Sequence, residues 1–254
     1  MSPSAVGRLE AAGRSDTGLA RKKNEDHLLH RPDAGLLAVA DGMGGAPAGE
    51  VASALAVEAL EEGLDAGTSP SEEAMVAAFQ AAHRRILQEQ EARPERRGMG
   101  TTLTAVHVDP VSGRFVLGHR GDSRAYRFGG SGFELLTRDH TWVDEEVAQG
   151  RLSPAQARGH PYRHVLTRVV GVGDEGRPDV VEGRFEAGEV IVLCSDGLLA
   201  IVGEADVERH LVALGSEGEV DALQGAVDEL VEAAHQGGSP DNVTVVLGRW
   251  LSIS

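Results

Sequence analysis

The stretch LLAVADGMGG, residues 36–45, is the most informative part of the sequence for the fold. It indicates a buried strand that ends in a carboxylate, Asp41, and continues into backbone with almost no side chains. The glycines at positions 42, 44 and 45 allow a ligand or a metal ion to approach the main chain closely. Taken alone, the stretch is more typical of a strand followed by an ordinary Asp-Gly turn, so its meaning depends on the rest of the chain.

The composition is that of an ordinary globular protein with a sizeable core. The chain has 254 residues, of which 41% are hydrophobic, 25% charged and only 4% aromatic, so Val, Leu and Ala must fill the core. No segment resembles a linker, and we expect one catalytic domain over residues 1–254. The formal charge of -16 argues against a nucleic-acid or anionic-membrane partner and leaves room for bound cations.

Three further features bear on location. The single cysteine, Cys194, excludes an internal disulfide framework and suits a reducing compartment. The N-terminal segment lacks the apolar centre of a signal peptide, and no run approaches the roughly 20 apolar residues of a membrane span. We therefore expect a cytoplasmic protein, without a membrane partner, and a monomer.

Hydrophobic periodicity predicts both helices and antiparallel strands. Apolar residues at three- and four-residue spacing predict helices over residues 50–64 and from the cap near Ser69 to about Ala92, with two more over residues 204–214 and 219–236. From Thr101 the period becomes two, which indicates short strands joined by tight turns; strands return at DVVEGRF, EVIVLCS and NVTVVLGRW. This order favours an α+β fold, most simply two packed sheets with helices outside.

Two segments have a weaker pattern. After a lead-in of small residues, SDTGLARKKNED (residues 15–26) is interpreted as a strand and a turn with polar groups at its end. Residues 137–173 are predicted to form a partly mobile flap with a helix at WVDEEVAQG and another after Ser153.

Acids recur where apolar strands end beside glycine or another small residue. Each alone is more often a turn former than a ligand, but a cluster of them at one sheet edge would persist only if a metal or protons neutralised it. All-oxygen ligands without supporting cysteine or an HExxH pattern select magnesium or manganese over zinc, and two such ions sharing a carboxylate activate water for attack on phosphorus. The acids are Asp41, Asp122, Asp196 and Asp241, with Glu25 and Asp26 beside them.

Eight ordered motifs, spanning about Arg14 to Arg249, resemble those of the bacterial protein phosphatase 2C (PPM) family of metal-dependent serine/threonine protein phosphatases. The resemblance implies a four-layer α-β-β-α sandwich, in which two antiparallel sheets are flanked by helix pairs and two manganese or magnesium ions lie in a cleft between the sheets. The motifs are SDTGLARKKNED, LLAVADGMGG, GMGTT, GHRGDSRAY, LTRDHTWV, HVLTRVVG, LCSDGL and GGSPDNVTVV.

The resemblance also implies a role for each acid. Asp41 would bridge both ions, the carbonyl of Gly42 would bind one, and Asp196 and Asp241 would bind the other. Asp122, together with Asp196, matches a third and weaker metal site of bacterial members.

Three more residues take roles from the same motifs. Glu25 and Asp26 would hold metal-bound water and orient it. Arg21 falls at the phosphate-binding arginine of the family, whose planar fork can hold two phosphoryl oxygens at once.

The chain departs from the pattern at two positions. Some family members have a histidine where this chain has Met43, and it is proposed to protonate the leaving group; a thioether cannot donate a proton. Candidates for that role are His27, His140 and His164, although each is more often a surface or structural histidine. Arg120 replaces the small or apolar residue expected before Gly121.

The implied reaction is single-step attack of a metal-bridging hydroxide on phosphoserine or phosphothreonine in proteins, which reverses serine/threonine kinase signalling. A cysteine phosphatase is excluded because no arginine follows Cys194 at Cys-x5-Arg spacing, and a P-loop motif is absent from the sequence. Two alternatives stay open: a catalytically weak pseudophosphatase or regulatory binding module of the same fold, and an enzyme that acts on a small phosphorylated metabolite or on phosphorylated partners of a sigma-factor pathway.

Overall fold

The computed structural model describes residues 6–43, 46, 48–64, 69–214 and 220–253; Gly44 and Gly45 of the opening stretch lie outside these residues. The strands are β1 (Val6–Asp16), β2 (Asp26–Arg31), β3 (Leu36–Asp41), β4 (Leu103–Val108), β5 (Arg114–Arg120), β6 (Arg124–Gly129), β7 (Gly132–Leu135), β8 (Asp179–Arg184), β9 (Val190–Cys194) and β10 (Val243–Ile253). The helices are α1 (Gly49–Gly63), α2 (Glu72–Ala92), α3 (Trp142–Ala148), α4 (Pro154–Arg158), α5 (Asp196–Leu199), α6 (Glu204–Ala213) and α7 (Val220–Gln236).

The strands form two five-stranded antiparallel sheets. The first sheet has the order β1-β10-β9-β6-β7 and the second has the order β2-β3-β4-β5-β8. One apolar cluster joins the facing sides of the two sheets, a second packs α1 and α2 on the outer face of the second sheet, and a third packs α6 and α7 on the first. The predicted α+β fold of two sheets with helices outside is therefore confirmed.

Strand β3 is apolar throughout because both of its faces are buried. Leu37 and Val39 point into the core between the sheets, whereas the alternate residues Leu36, Ala38 and Ala40 pack beneath the helices. Such a strand cannot show the alternation of apolar and polar residues that marks a half-exposed one. Its carboxylate, Asp41, consequently lies at the point where the buried strand leaves the core.

The N-terminal segment differs from its prediction. The lead-in forms β1, a strand of 11 residues that pairs with β10 along its whole length. The segment interpreted as a strand and turn is instead a loop, residues 17–25, followed by β2. The apolar pattern does not reveal strand β1, because Glu10 is buried opposite Arg249 of β10 at a position where a sheet normally has an apolar pair. Oε2 of Glu10 lies 2.8 Å from Nη2 of Arg249.

Smaller differences concern the ends of elements. Strand β4 begins at Leu103 rather than Thr101, which forms bridges to Gly42 and Val170 instead. Asp196 begins the short helix α5 rather than a simple turn. Within residues 137–173, the two predicted helices are present as α3 and α4. In the part of the chain that the structure describes, no helix combines the length and apolar character required to cross a membrane.

The buried Glu10 should contribute strongly to stability. Glu10→Gln removes a carboxylate 2.8 Å from the fully buried Arg249 guanidinium, and we expect a loss of about 3 kcal/mol in the free energy of unfolding. Urea denaturation measures it. The matched control is Glu134→Gln, which breaks an exposed cross-strand pair with Arg127 in the same sheet and should cost about 0.5 kcal/mol. Equal losses in the two variants would contradict this account.

Candidate functional site

Strand register brings the first two acids together. Asp26 at the start of β2 lies directly opposite Asp41 at the end of β3. Like charges in directly opposed positions destabilise a sheet unless something offsets them. This end of the second sheet is therefore suited to holding a cation or protons.

The first sheet delivers three more acids. Arg124 of β6 pairs with Cys194 of β9, and Asp122 and Asp196 each lie two residues beyond that pair at the same end of the sheet. Asp241 lies two residues before the start of β10, the neighbour of β9. All three carboxylates thus approach the edge at which Asp41 leaves the core.

A cleft of about 530 Å³ opens where the ends of the two sheets meet. It brings together five of the predicted site residues, while Glu25, Asp26 and Gly42 lie outside its lining. The lining consists of Arg21, Asp41, Met43, Thr102, Asp122, His164, Leu166, Asp196, Gly197, Ala200, Pro240 and Asp241.

Burial and mutual repulsion favour the protonated form of these acids. Burial raises the pKa of Asp41 well above its usual value, and the charges of Asp26 and Asp196 raise it further. Burial, with Asp196 adding to it, raises the pKa of Asp122 to about 8. For Asp196 itself, burial and the charge of Asp241 both raise the pKa. A cation in the cleft would offset these shifts, because it favours the charged form of each carboxylate.

The two acids behind the cleft are shifted in the same direction. Burial raises the pKa of Asp26 to about 6, although Thr244 Oγ1 donates a hydrogen bond of 2.6 Å to its Oδ2. Burial, followed by the charge of Glu50, raises the pKa of Glu25. The charges of Arg21 and Lys23 lower the pKa of Glu25, but by less than burial and the neighbouring acids raise it.

The donor set fits a hard divalent cation. Oδ1 of Asp26 and Oδ1 of Asp196 are buried without a hydrogen-bond partner, and every acid present offers oxygen. Among the described residues, however, no three His, Cys, Asp or Glu side chains already converge closely enough to hold an ion. The carboxylates lie near enough to one another for their charges to interact, since Asp26 and Asp196 both raise the pKa of Asp41. Coordination would require these side chains to turn toward the ion.

Arg21 reaches the cleft from the loop between β1 and β2. Its Nη2 donates to Oδ2 of Asp241 at 2.6 Å, and its side chain is 37% exposed. The predicted phosphate-binding arginine is therefore paired with a predicted metal ligand, a contact that the sequence did not indicate.

Gly42 is required by close packing. A Cβ atom at this position would lie 2.4 Å from the carbonyl oxygen of Gly49 and 2.6 Å from that of Glu25. The Gly42 N–H donates to the same Glu25 carbonyl at 3.1 Å. The glycine thus allows the end of β3 to lie against both the start of α1 and the Glu25 backbone.

Two threonines that sequence reasoning did not single out hold the main chain of Asp41. Thr102 Oγ1 accepts a hydrogen bond of 2.9 Å from the Asp41 N–H, and Thr101 Oγ1 donates one of 2.8 Å to the Asp41 carbonyl. Thr102 Oγ1 also hydrogen-bonds to the Ser123 hydroxyl beside Asp122 at 2.7 Å. The signal available in the sequence was the paired threonine at the end of GMGTT.

Comparison with known proteins settles the family. The family model described as Protein phosphatase 2C matches residues 20–232. The chain belongs to the protein phosphatase 2C family. The family identified from the eight motifs is therefore confirmed.

Relatives within the protein phosphatase 2C family cover nearly the whole chain. It is 40% identical over 242 residues to the serine/threonine protein phosphatase PstP of Mycobacterium tuberculosis, an alignment that covers 94% of this chain and 44% of PstP. The chain thus spans less than half the length of that relative. The serine/threonine phosphatase stp of Listeria monocytogenes is 32% identical over 247 residues, with 94% of this chain and 95% of stp covered.

Solved structures of the family agree with the fold. A crystal structure of M. tuberculosis PstP/Ppp superimposes with a TM-score of 0.84 at 38% identity, covering 97% of this chain and 100% of that one. The catalytic domain of PstP in complex with two manganese ions gives a TM-score of 0.84 at 35% identity, with the same coverage. The catalytic domain of this relative therefore binds two manganese ions in its crystal structure.

The three candidate histidines lie in different places. His164 lines the cleft with Met43. His27 lies on β2 and hydrogen-bonds to the Ser53 hydroxyl at 3.0 Å. His140 is buried, accepts a hydrogen bond from the Gly121 N–H and approaches Asp179 at 3.1 Å. Arg120, the other departure, donates to the Gly176 carbonyl at 2.6 Å and does not line the cleft.

Manganese binding should release protons. The cleft acids have raised pKa values, to about 6 for Asp26 and about 8 for Asp122, and an ion binds only the deprotonated carboxylates. Affinity should therefore increase as the pH rises from about 6 to about 8 and weaken as it falls. Isothermal titration calorimetry at one pH in two buffers of different ionisation enthalpy counts the protons. Identical heats in the two buffers would contradict this expectation.

Proposed function

We propose that this chain hydrolyses phosphoserine and phosphothreonine in proteins with the help of two manganese or magnesium ions, and so reverses the action of a serine/threonine kinase. The observation that carries the proposal is the convergence of Asp41, Asp122, Asp196 and Asp241 with Arg21 in one cleft of a protein phosphatase 2C chain. Half-buried acids that repel one another destabilise a fold unless bound cations offset their charge.

We assign the metal contacts residue by residue. Asp41 and the Gly42 carbonyl would hold one ion, and Asp41, Asp196 and Asp241 the other. Asp122, with Asp196, would hold a third, weaker one. When bound, the ions would supply an activated water and offset negative charge on the phosphoryl oxygens.

The remaining residues orient and bind. Glu25 and Asp26 would hold water beside the ions. Two observations support this role: the pKa of both carboxyls is raised, and Oδ1 of Asp26 has no hydrogen-bond partner and could accept one from water. Arg21 would turn from Asp241 to the phosphoryl group, where its guanidinium can donate to two oxygens at once. Thr101 and Thr102 would keep the Asp41 backbone in place during turnover.

The predicted flap, residues 137–173, would shape the substrate site. A groove of about 670 Å³ continues from the cleft between α3, α4 and α5 and shares Asp122, His164 and Asp196 with it. A protein substrate extends beyond its phosphate, so this groove offers a surface for flanking residues. We further propose a monomeric catalytic domain that acts in the cytoplasm.

Turnover should depend on metal and on the bridging acid. Hydrolysis of p-nitrophenyl phosphate should require added Mn²⁺ or Mg²⁺ and vanish in excess EDTA, and Asp41→Asn should lower kcat by about a thousandfold or more. Cys194→Ala is the control, because Cys194 is fully buried beneath the helices of the first sheet and should not affect chemistry. Undiminished turnover in EDTA would overturn the proposal. A loaded protein that hydrolyses no phosphopeptide of a broad panel would instead be a pseudophosphatase.

His164 should matter only when the leaving group needs a proton. His164→Ala should slow hydrolysis of a phosphoserine peptide by about a hundredfold, because the serine oxygen of that substrate would leave as an unstable alkoxide unless it is protonated. Hydrolysis of p-nitrophenyl phosphate should be largely unaffected, because p-nitrophenolate is a stable anion. The control is His27→Ala, which alters a histidine outside the cleft lining. Equal slowing on both substrates would show that His164 binds the phosphate rather than protonating the leaving group.

A further inference from the structure

The loop that carries Arg21 has little structure of its own. Residues 17–25 form no helix or strand, and Leu19 to Lys23 are exposed. Such a loop needs partners for its backbone groups, and without them Arg21 would sample many positions.

A single side chain supplies three of those partners. The Nδ2 of Asn242 donates to the Thr17 carbonyl at 2.8 Å and to the Lys23 carbonyl at 2.9 Å. Its Oδ1 accepts from the Glu25 N–H at 2.9 Å. These partners fix the orientation of the amide, because only nitrogen can donate to the two carbonyls. One amide thereby ties the beginning of the loop to its end.

Asn242 itself is rigidly placed. It is 4% exposed and immediately precedes β10, the strand that pairs with both β1 and β9. Its backbone N–H donates to Oδ1 of Asp241 at 2.9 Å. The loop also packs closely here, since Gly18 has φ +72 and a Cβ on it would lie 2.3 Å from the Asp241 carbonyl oxygen.

The ion pair between Arg21 and Asp241 is a weaker restraint than these bonds. Both of its side chains are about a third exposed, at 37% and 30%, and exposed pairs contribute little. The Asn242 side chain, by contrast, is buried, so the loss of its hydrogen bonds removes contacts made by a group shielded from water. The placement of the loop therefore depends more on Asn242 than on Arg21.

We propose that Asn242 is a positioning residue that holds the Arg21 loop, so that the Arg21 guanidinium faces the cleft beside Asp241. The inference rests on the proposed role of Arg21 in binding phosphate. Asn242 does not line the cleft and acts only through the loop.

Trypsin tests the tether without reference to catalysis. Arg21, Lys22 and Lys23 are cleavage sites within the loop. In the full chain loaded with Mn²⁺, Asn242→Ala should accelerate cleavage at these sites by about tenfold, the effect of losing buried hydrogen bonds of ordinary strength. Ser239→Ala is the matched control: it removes hydrogen bonds of the same turn, to the Gly197 carbonyl and from the Asp241 N–H, but none to the loop, and should leave loop cleavage unchanged. Unchanged cleavage in a folded Asn242→Ala protein would overturn the proposal.

A second variant covers the case in which Asn242→Ala does not fold. Asn242→Asp keeps the size of the side chain and the acceptor for Glu25 but loses both donors. Cleavage should again accelerate, with circular dichroism confirming the fold. Slow cleavage in this variant would equally contradict the tether.

Kinetics then connect the tether to Arg21. Asn242→Ala should raise KM for a phosphopeptide and the inhibition constant of inorganic phosphate about tenfold, while calorimetric Mn²⁺ affinity stays within about twofold. In an Arg21→Ala background, Asn242→Ala should have no further effect on kcat/KM. If the two substitutions lower kcat/KM additively, or if Asn242→Ala weakens Mn²⁺ binding, Asn242 supports the metal site rather than Arg21, and the proposal is wrong. If the parent protein itself shows no metal-dependent turnover, the proposed function fails, and the trypsin result still decides the tether.

Discussion

Repulsion among carboxylates that are at least half-buried in one cleft is the constraint on which the rest of the structure depends. Asp26 lies opposite Asp41, and Asp196 and Asp241 approach from the other sheet, so the pKa values of the buried acids rise. A fold tolerates such a cluster only if the surrounding core is strong enough to hold it. Here that support comes from β3, buried on both faces, and from the hydroxyl groups of Thr101 and Thr102 that hold the Asp41 backbone.

Each of the two sheets contributes some of the acids that form the cleft. The second sheet contributes Asp26 and Asp41 through one strand pair, and the first contributes the other acids through the ends of β6, β9 and β10. Because both sheets bury apolar residues against each other, their ends meet in a fixed relation. The loop that carries Arg21 completes the cleft, and hydrogen bonds to the buried Asn242 amide join its two ends.

Much of this could be predicted from sequence, because the decisive signals are local. An apolar run that ends in Asp-Gly predicted β3 and its carboxylate, and ordered motifs identified the protein phosphatase 2C family. Strand β1 could not be predicted, since its buried Glu10 lies opposite Arg249, a residue far along the chain. The contact of Arg21 with Asp241 and the three bonds of Asn242 are likewise long-range, and no spacing rule reports them. The metal roles of the acids stay predictions.

The pairing of β1 with β10 has a consequence for the order of assembly. Glu10 and Arg249 are separated by 239 positions, and Asn242 reaches Lys23 across 219. Contacts between such distant residues form slowly, because the intervening chain must first be brought together. During synthesis, both sheets could begin to form while Asp241 and Asn242 were still inside the ribosome. The cleft would then be completed only when β10 docks, because Asp241 and Asn242 directly precede that strand.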